Sequence, residues 1–289
     1  MEKMFLRDDD DPIDIRRDNV FKAVFTKDTP ESSGALSKLV SALIGREISI
    51  VSILANEPPV ENLRDRQIRF DINCRAKNGE LIDVEMCLHP DVFEPIRLEF
   101  YTAKLFGGQD VRGSDSSYRD LKITYQIAIL ANLKFFSDDD YYHSFEYYDP
   151  VRKVSFRGIT QIITLELSKL NGIVEKPAGE MTESERWAVF LEYLTDRDKR
   201  DKINEIAEQE EGIAMAGQVL MSVSKDENER ARLLSEYKYQ MDMQSKLVTA
   251  KREGRLEGQE EERQKILEMM ERADSLDELK RQLAGAKSL

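Results

Sequence analysis

The sequence predicts an α/β domain that is followed by a helical region. Two observations support this. Residues 66–88 alternate between apolar and polar side chains, and the composition shifts towards charged residues after Pro177. Alternation with a period of two is typical of strands, whereas helices place apolar residues three or four positions apart. We therefore predict one domain at residues 1–175 and a helical, highly charged C-terminal region at residues 176–289.

The first elements combine helical and strand patterns. Apolar residues with helical spacing predict a helix within residues 13–27, with Asp18 as its N-cap. A second helix is predicted over residues 34–44 and ends at Gly45. The stretch at residues 48–55 is apolar and rich in β-branched side chains, which indicates a strand.

Further strands and one helix are predicted after the alternating stretch. Pro95 suits the first turn of a helix that runs to about Phe106. Apolar and aromatic runs then predict strands over residues 122–135, 141–148 and 154–167.

The C-terminal region has the composition of long, solvated helices. Residues 183–193 have helical spacing, and residues 230–272 consist mainly of Glu, Lys, Arg and Gln. Apolar residues do not keep a heptad spacing in this region, as a coiled coil requires. Homo-oligomer formation through these helices is therefore a hypothesis that the pattern supports only weakly.

Bulk composition narrows the class of protein. The formal net charge of -13 counts against a broad basic surface for nucleic acid, although a local groove can still be basic. Two cysteines give no disulfide framework. The apolar runs are too short to span a bilayer, and the acidic N-terminus does not resemble a signal peptide. We expect a cytoplasmic protein that has no membrane partner.

The alternating stretch predicts a hairpin with one apolar and one polar face. The even positions from 68 to 76 and from 82 to 88 are apolar, and nearly all odd positions of these two segments are polar. A three-residue loop, Lys77-Asn78-Gly79, pairs even positions with even ones and needs Gly at its third position. This register places both apolar sets against the same core.

The same register brings two carboxylates together. Asp71 is predicted opposite Glu85, and Arg69 opposite Cys87, with directly opposed Cβ atoms roughly 4.5–5.5 Å apart. Paired carboxylates repel unless a proton or a cation lies between them, and magnesium prefers such oxygen ligands. The alternative is an ordinary solvated face, on which acidic residues are common.

Several stretches resemble the PD-(D/E)xK nuclease superfamily, and in particular its recombination-promoting nuclease or putative transposase group. The resemblance covers most of the chain and rests on the order of these motifs: Asp18-Asn19-Val20-Phe21-Lys22; Arg69-Phe70-Asp71-Ile72; Asp83-Val84-Glu85-Met86; Arg97, Phe100, Tyr101, Lys104 and Leu105; Gly113, Tyr118 and Leu121; and Glu253-Gly254-Arg255-Leu256-Glu257-Gly258. It implies a restriction-endonuclease-like mixed sheet flanked by helices. It also implies Mg²⁺-dependent cleavage of DNA, with Asp71 and Glu85 as metal ligands.

The third motif position departs from the pattern of this superfamily. Cys87 stands where the superfamily has Lys and this group usually has Gln. A thiol is a weak donor without positive charge. We hypothesise that Arg69 supplies the missing cation from the opposite strand. The alternative is that Arg69 only pairs with Asp71 or Glu85 and that the site is inactive.

Three further residues are candidates for substrate binding: Tyr101 and Lys104 on the predicted helix, and Gln126, which is polar within an apolar strand. The preferred function is that of an Mg²⁺-dependent DNA endonuclease. Cys87 and the acidic net charge support the main alternative, a degenerate nuclease fold that binds DNA or a protein without turnover. A third reading is an assembly protein that acts through its C-terminal helices.

Overall fold

The computed structural model describes residues 6–57, 68–109 and 117–272. Its contacts divide the chain into two compact units, Met1–Leu233 and Leu234–Leu289. The first unit contains the sheet and every residue of the predicted site that is discussed below.

The first two helices follow the predicted pattern, with different N-termini. Helix α1 (Asp18–Phe25) begins directly after Arg17, so that Asp18 is its first residue rather than its N-cap. Helix α2 (Pro30–Ile44) starts four residues before the predicted position, because Thr29 caps it by accepting a hydrogen bond from the Ser32 amide. Gly45 ends α2 in the left-handed conformation, with φ of 79°, as the sequence predicts.

A six-stranded mixed sheet forms the centre of the first unit. Its strands are β1 (Ile50–Ile53), β2 (Ile72–Ala76), β3 (Leu81–Cys87), β4 (Thr124–Leu130), β5 (Tyr142–Phe145) and β8 (Thr160–Glu166). Their spatial order is β1-β2-β3-β4-β8-β5. The middle pairs β3/β4 and β4/β8 are parallel, and the outer pairs are antiparallel. The predicted α/β class with a mixed sheet flanked by helices is therefore confirmed.

The later strands are shorter than their apolar runs. Strand β4 ends at Leu130, and Asn132 then adopts a left-handed conformation with φ of 59°, which an extended strand cannot include. The chain between β5 and β8 forms a separate small hairpin of β6 (Tyr148–Asp149) and β7 (Val154–Ser155). Each of these turns interrupts a stretch of apolar and aromatic residues that the sequence pattern predicts as one continuous strand.

The central hairpin has the predicted register. Ile72 lies opposite Val84 and Asn73 opposite Asp83. The Ala76 amide donates to the Glu80 carbonyl at 2.9 Å, and Gly79 has φ of 90° at the third loop position. Only a residue without a Cβ atom adopts that conformation at little cost.

The apolar side of this hairpin is less uniform than predicted. Ile72 and Val84 belong to the main core, but Ile68 and Phe70 pack in a separate cluster with Leu81. The cause is a bend at Asp71, where the ladder between β2 and β3 ends. Residues before the bend therefore do not continue the alternation of the strand.

Both faces of the sheet are covered. Helix α3 (Glu94–Gly107) packs Leu98 against Cys87 and Leu130 on one face, while the main core lies on the other face. Every residue of β3 is buried as a result. The polar face of the hairpin is therefore an interior surface, and the alternative of an ordinary solvated face is wrong for β3.

The main core continues well beyond residue 175. Three more helices follow, α4 (Glu183–Tyr193), α5 (Arg200–Gln209) and α6 (Glu211–Lys225). Helices α4 and α6 pack against α2, α6 also packs against α1, and α5 packs against α4 and α6. Their buried side chains, which include Trp187, Phe190, Ile203 and Leu220, share one cluster with Phe21 and Ile127. The boundary predicted near residue 175 therefore falls inside the first compact unit, because apolar faces of helices far along the chain complete its core.

The last helix is α7 (Glu227–Arg272). The second unit begins at residue 234, within this helix, and residues 234–272 are the part of that unit that the structure describes. Its charged composition matches the predicted C-terminal helix, and most of its described side chains are exposed. Within the described residues, no helix has the length and apolar character needed to cross a membrane.

Candidate functional site

Asp71 and Glu85 contact each other through the backbone. The Asp71 amide donates to Glu85 Oε1 at 3.0 Å, and the Met86 amide donates to Asp71 Oδ2 at 3.1 Å. Both contacts depend on the bend at Asp71, which turns its side chain towards the amide edge of β3. The predicted proximity of the two carboxylates is confirmed, and the hydrogen bonds hold both side chains in place.

A third acid lies beside this pair, below the surface. Asp83 is opposite Asn73 on β2 and adjacent to Gln126 on β4. Gln126 Nε2 donates to Asp83 Oδ2 at 2.6 Å, and both side chains are completely buried. Three strands therefore bring polar groups into one buried row beneath the Asp71 and Glu85 pair.

Burial makes these acids difficult to ionise. Burial raises the pKa of Asp83 well above its usual range, and the neighbouring charge of Glu85 raises it further. Burial also raises the pKa of Glu85 to about 7, with the charge of Asp71 adding to the effect and that of Arg97 opposing it. Glu85 is only 2% exposed, so that water does little to stabilise its charged form.

Arg97 on α3 occupies the place that we predicted for Arg69. Its Nη2 lies 3.1 Å from Cys87 Sγ and 3.4 Å from Glu85 Oε2, and it is also ion-paired with Glu94. Cys87 donates from its thiol to Glu94 Oε1 at 3.4 Å. A guanidinium group from a helix, rather than from the opposite strand, therefore stands next to the third motif position.

Arg69 itself points away from these residues. Its side chain is 71% exposed, and its Nε lies 3.8 Å from Glu57. The predicted placement of Arg69 next to Cys87 is wrong, because the ladder between β2 and β3 begins only at Ile72 and the bend at Asp71 separates Arg69 from the strand.

A second cation reaches the pair from α1. Lys22 Nζ lies 2.7 Å from Asp71 Oδ1 and 3.7 Å from Asp18 Oδ2. Lys22 and Arg97 both stand in the stretches that resemble the superfamily, but the hairpin pattern gives no signal for either. The i,i+4 spacing of Asp18 and Lys22 places these two side chains next to each other on the surface of α1.

The three residues predicted to bind substrate have different surroundings. Tyr101 is half-buried, packs edge-on against Phe70 at 5.5 Å, and lies under the Arg97 guanidinium at 5.4 Å. Lys104 is exposed and stands 5.7 Å above the Phe100 ring. Gln126 is buried against Asp83 and presents no surface to a substrate, whereas Tyr101 and Lys104 stay candidates for contact.

The donor set suits a hard divalent cation. Among the described residues no group of three or more His, Cys, Asp or Glu side chains converges as a ready-made metal cluster. Asp71 and Glu85 nevertheless supply adjacent carboxylate oxygens, which magnesium accepts together with water. A cation there would also favour the charged form of Glu85, whose pKa is raised without one.

The raised pKa of Glu85 predicts that the metal-free protein loses stability as the pH rises. Folded Glu85 keeps its proton up to about pH 7, whereas the ordinary value is 4.5. The folded state therefore binds more protons between these values, and the free energy of unfolding falls with increasing pH by on the order of 3 kcal/mol. Urea unfolding in EDTA between about pH 5 and 8 measures this fall. The Glu85→Gln variant should give a flatter profile, and parallel profiles would contradict the prediction.

Comparison with known proteins agrees with this geometry. The model of the family described as PD-(D/E)XK nuclease family transposase matches residues 15–250, which include the sheet, both carboxylates and helices α1 to α6. No curated protein and no solved structure gave a significant match to the chain. Because the matched residues cover most of the 289, the chain belongs to the PD-(D/E)XK nuclease family transposases.

Proposed function

We propose that this protein is a magnesium-dependent DNA endonuclease of the recombination-promoting type, with Asp71 and Glu85 as its metal ligands. The observation that supports it most directly is the pair of hydrogen bonds between these two residues' segments, in which the Asp71 amide donates to Glu85 and the Met86 amide donates to Asp71. Membership of a nuclease family supports the same reaction class. Magnesium, DNA as the partner and hydrolysis are parts of the proposal.

Different residues of the chain would bind the cation and support its ligands. Asp71 and Glu85 would supply carboxylate oxygens, and Gln126 holds Asp83 in the buried row next to them. A bound magnesium ion would supply positive charge that polarises the phosphodiester and favours ionisation of water. The bonds from backbone amides keep Asp71 and Glu85 in position before any cation arrives.

In the proposed hydrolysis, a water oxygen forms a bond to phosphorus while the bond from phosphorus to the leaving oxygen breaks. The attacking water gives up one proton and the leaving oxygen gains one, so that the products are a phosphate monoester and an alcohol. Helix α3 shields the inner side of Glu85 from solvent, and Arg97 holds its Oε2 atom.

Cys87 has no direct chemical step in this proposal. Burial raises the pKa of its thiol well above the usual range, so that the group stays neutral and cannot act as a base near neutral pH. Its contacts with Glu94 and Arg97 instead support the position of the guanidinium group. Cys87, at the third motif position, thus helps to hold the Arg97 guanidinium group in place.

One observation favours a second candidate, a degenerate nuclease fold that binds DNA or a protein without turnover. Asp71 is already paired with Lys22, and Glu85 with Arg97. Such internal ion pairs are also what a site that has lost its metal would keep. The net charge of -13 supports the same candidate, since it weakens attraction to DNA over the whole protein.

A plasmid-nicking time course separates the two candidates. Purified protein is incubated with supercoiled DNA and magnesium, with a parallel reaction in EDTA. We expect nicked and then linear DNA only when magnesium is present. If DNA stays intact with both magnesium and manganese while the protein still shifts the DNA in a gel, the degenerate binding protein is the better description.

A further inference from the structure

We propose that Lys22 of helix α1 is the catalytic cation of this site, in place of the lysine that the superfamily motif has at the position of Cys87. The inference rests on the proposed nuclease function and identifies one more residue that contacts the substrate. Its basis is the 2.7 Å contact between Lys22 Nζ and Asp71 Oδ1.

The position of Lys22 is set by a rigid element. The buried side chains of α1, which are Val20, Phe21, Val24 and Phe25, fix this helix against the main core. The side chain of Lys22 is 22% exposed, and its ammonium group contacts Asp71. A phosphate that approaches Asp71 from solvent would therefore meet this group.

The other cations near the site are less suited to this role. Arg97 is already engaged by Glu85 and Glu94 and by the sulfur atom of Cys87. Arg69 points away towards Glu57. Within the described part of the chain, Lys22 is the lysine that forms an ion pair with either proposed metal ligand.

Lys22 also keeps donor capacity for a substrate. An ammonium group has three N–H donors. Asp71 Oδ1 accepts at 2.7 Å, whereas Asp18 Oδ2 lies at 3.7 Å, beyond hydrogen-bonding distance. The remaining donors can bind a non-bridging phosphate oxygen and stabilise the charge that develops there during attack. In this role Lys22 binds the phosphate and transfers no proton.

The simpler explanation is that Lys22 only neutralises Asp71 in the metal-free protein. In that case a bound magnesium ion would neutralise Asp71 instead, and Lys22 would be dispensable for cleavage at saturating magnesium. The two explanations therefore differ in the rate of the metal-loaded enzyme and in the affinity for the metal.

The test compares two single variants of the full chain. Lys22→Met removes the ammonium group, and Lys27→Met is the matched control. Lys27 follows α1 closely but pairs with Glu229 at 3.2 Å, away from the carboxylates. With saturating magnesium, we expect Lys22→Met to cleave about 100-fold more slowly, and Lys27→Met to stay within about threefold of the wild type.

A binding measurement supplies a second readout. Calorimetric titration with Ca²⁺, which is not expected to support cleavage, measures how tightly Asp71 and Glu85 bind a divalent cation when no reaction takes place. We expect Lys22→Met to bind Ca²⁺ at least as tightly as the wild type, because a competing cation has been removed from Asp71. Slow cleavage together with undiminished Ca²⁺ binding is the result that supports a catalytic Lys22.

Two results would overturn the inference. One is that Lys22→Met cleaves DNA at the wild-type rate. The other is that Lys22→Met cleaves slowly but also binds Ca²⁺ so much more weakly that weaker metal binding accounts for the whole loss of cleavage. If thermal unfolding shows that Lys22→Met does not fold, Lys22→Gln takes its place and is judged by the same criteria. If the wild type itself fails to cleave, the proposed nuclease function fails first and the role of Lys22 falls with it. If the wild type cleaves DNA and the Lys22 variant cleaves it equally fast, the catalytic role of Lys22 is refuted but the proposed nuclease function is not.

Discussion

Replacing either Asp71 or Glu85 by its amide is expected to slow magnesium-dependent DNA cleavage by about two to three orders of magnitude. The amides of Asn and Gln keep the size of the carboxylates but lose the charge that holds a divalent cation. Single-turnover nicking rates of Asp71→Asn and Glu85→Gln, measured beside the wild type, test this expectation.

Glu80→Gln is the matched control for these variants. Glu80 is a buried carboxylate in the same hairpin, but it pairs with Arg46 at 2.6 Å at the turn end of the sheet. We expect this variant to keep wild-type cleavage, whatever it loses in stability. Glu85→Gln should fold at least as well as the wild type without metal, because it removes a charge that burial disfavours. Undiminished cleavage by both amide variants would exclude Asp71 and Glu85 as metal ligands.

A chain that ends at residue 175 is expected not to fold. It lacks helices α4 to α6, whose buried side chains belong to the same cluster as those of α1 and the sheet. Truncation of one buried ring such as Trp187 costs about 3–5 kcal/mol, while a whole domain is stable by only about 5–15 kcal/mol. Losing Trp187, Phe190 and Leu220 together would cost roughly 8–15 kcal/mol, which is as large as the whole stability of a domain. The truncation also removes the other buried side chains of α4 to α6.

A chain that ends at Leu233 is the control for this truncation. It keeps the whole first compact unit, including the hydrogen bond from Asn19 Nδ2 to the Leu233 carbonyl at 2.7 Å. We expect residues 1–233 to unfold cooperatively on heating and residues 1–175 to show no thermal transition. Cooperative unfolding of the shorter chain would mean that the predicted boundary at residue 175 marks a separate domain after all.

Local patterns made the central hairpin predictable. Its register follows from the alternation with a period of two and from the need for Gly79 in a left-handed turn, and both are properties of neighbouring residues. The contact between Asp71 and Glu85 follows from that register. Secondary structure elsewhere was predictable in type, as for α4, but strand ends such as Leu130 depend on turns that composition does not reveal.

The sequence by itself determined the α/β class, the hairpin and the identity of the two adjacent carboxylates, because these depend on side-chain periodicity and on one turn. Only the tertiary structure decided which cations reach them. Lys22 and Arg97 come from α1 and α3, 49 positions before Asp71 and 12 positions after Glu85, and they arrive because each helix packs against the sheet. The tertiary structure also decided that Asp83 and Glu85 are buried, since α3 covers a strand face whose polar pattern alone suggests solvent. Burial and long-range pairing depend on how distant elements pack, and no local spacing in the sequence records this.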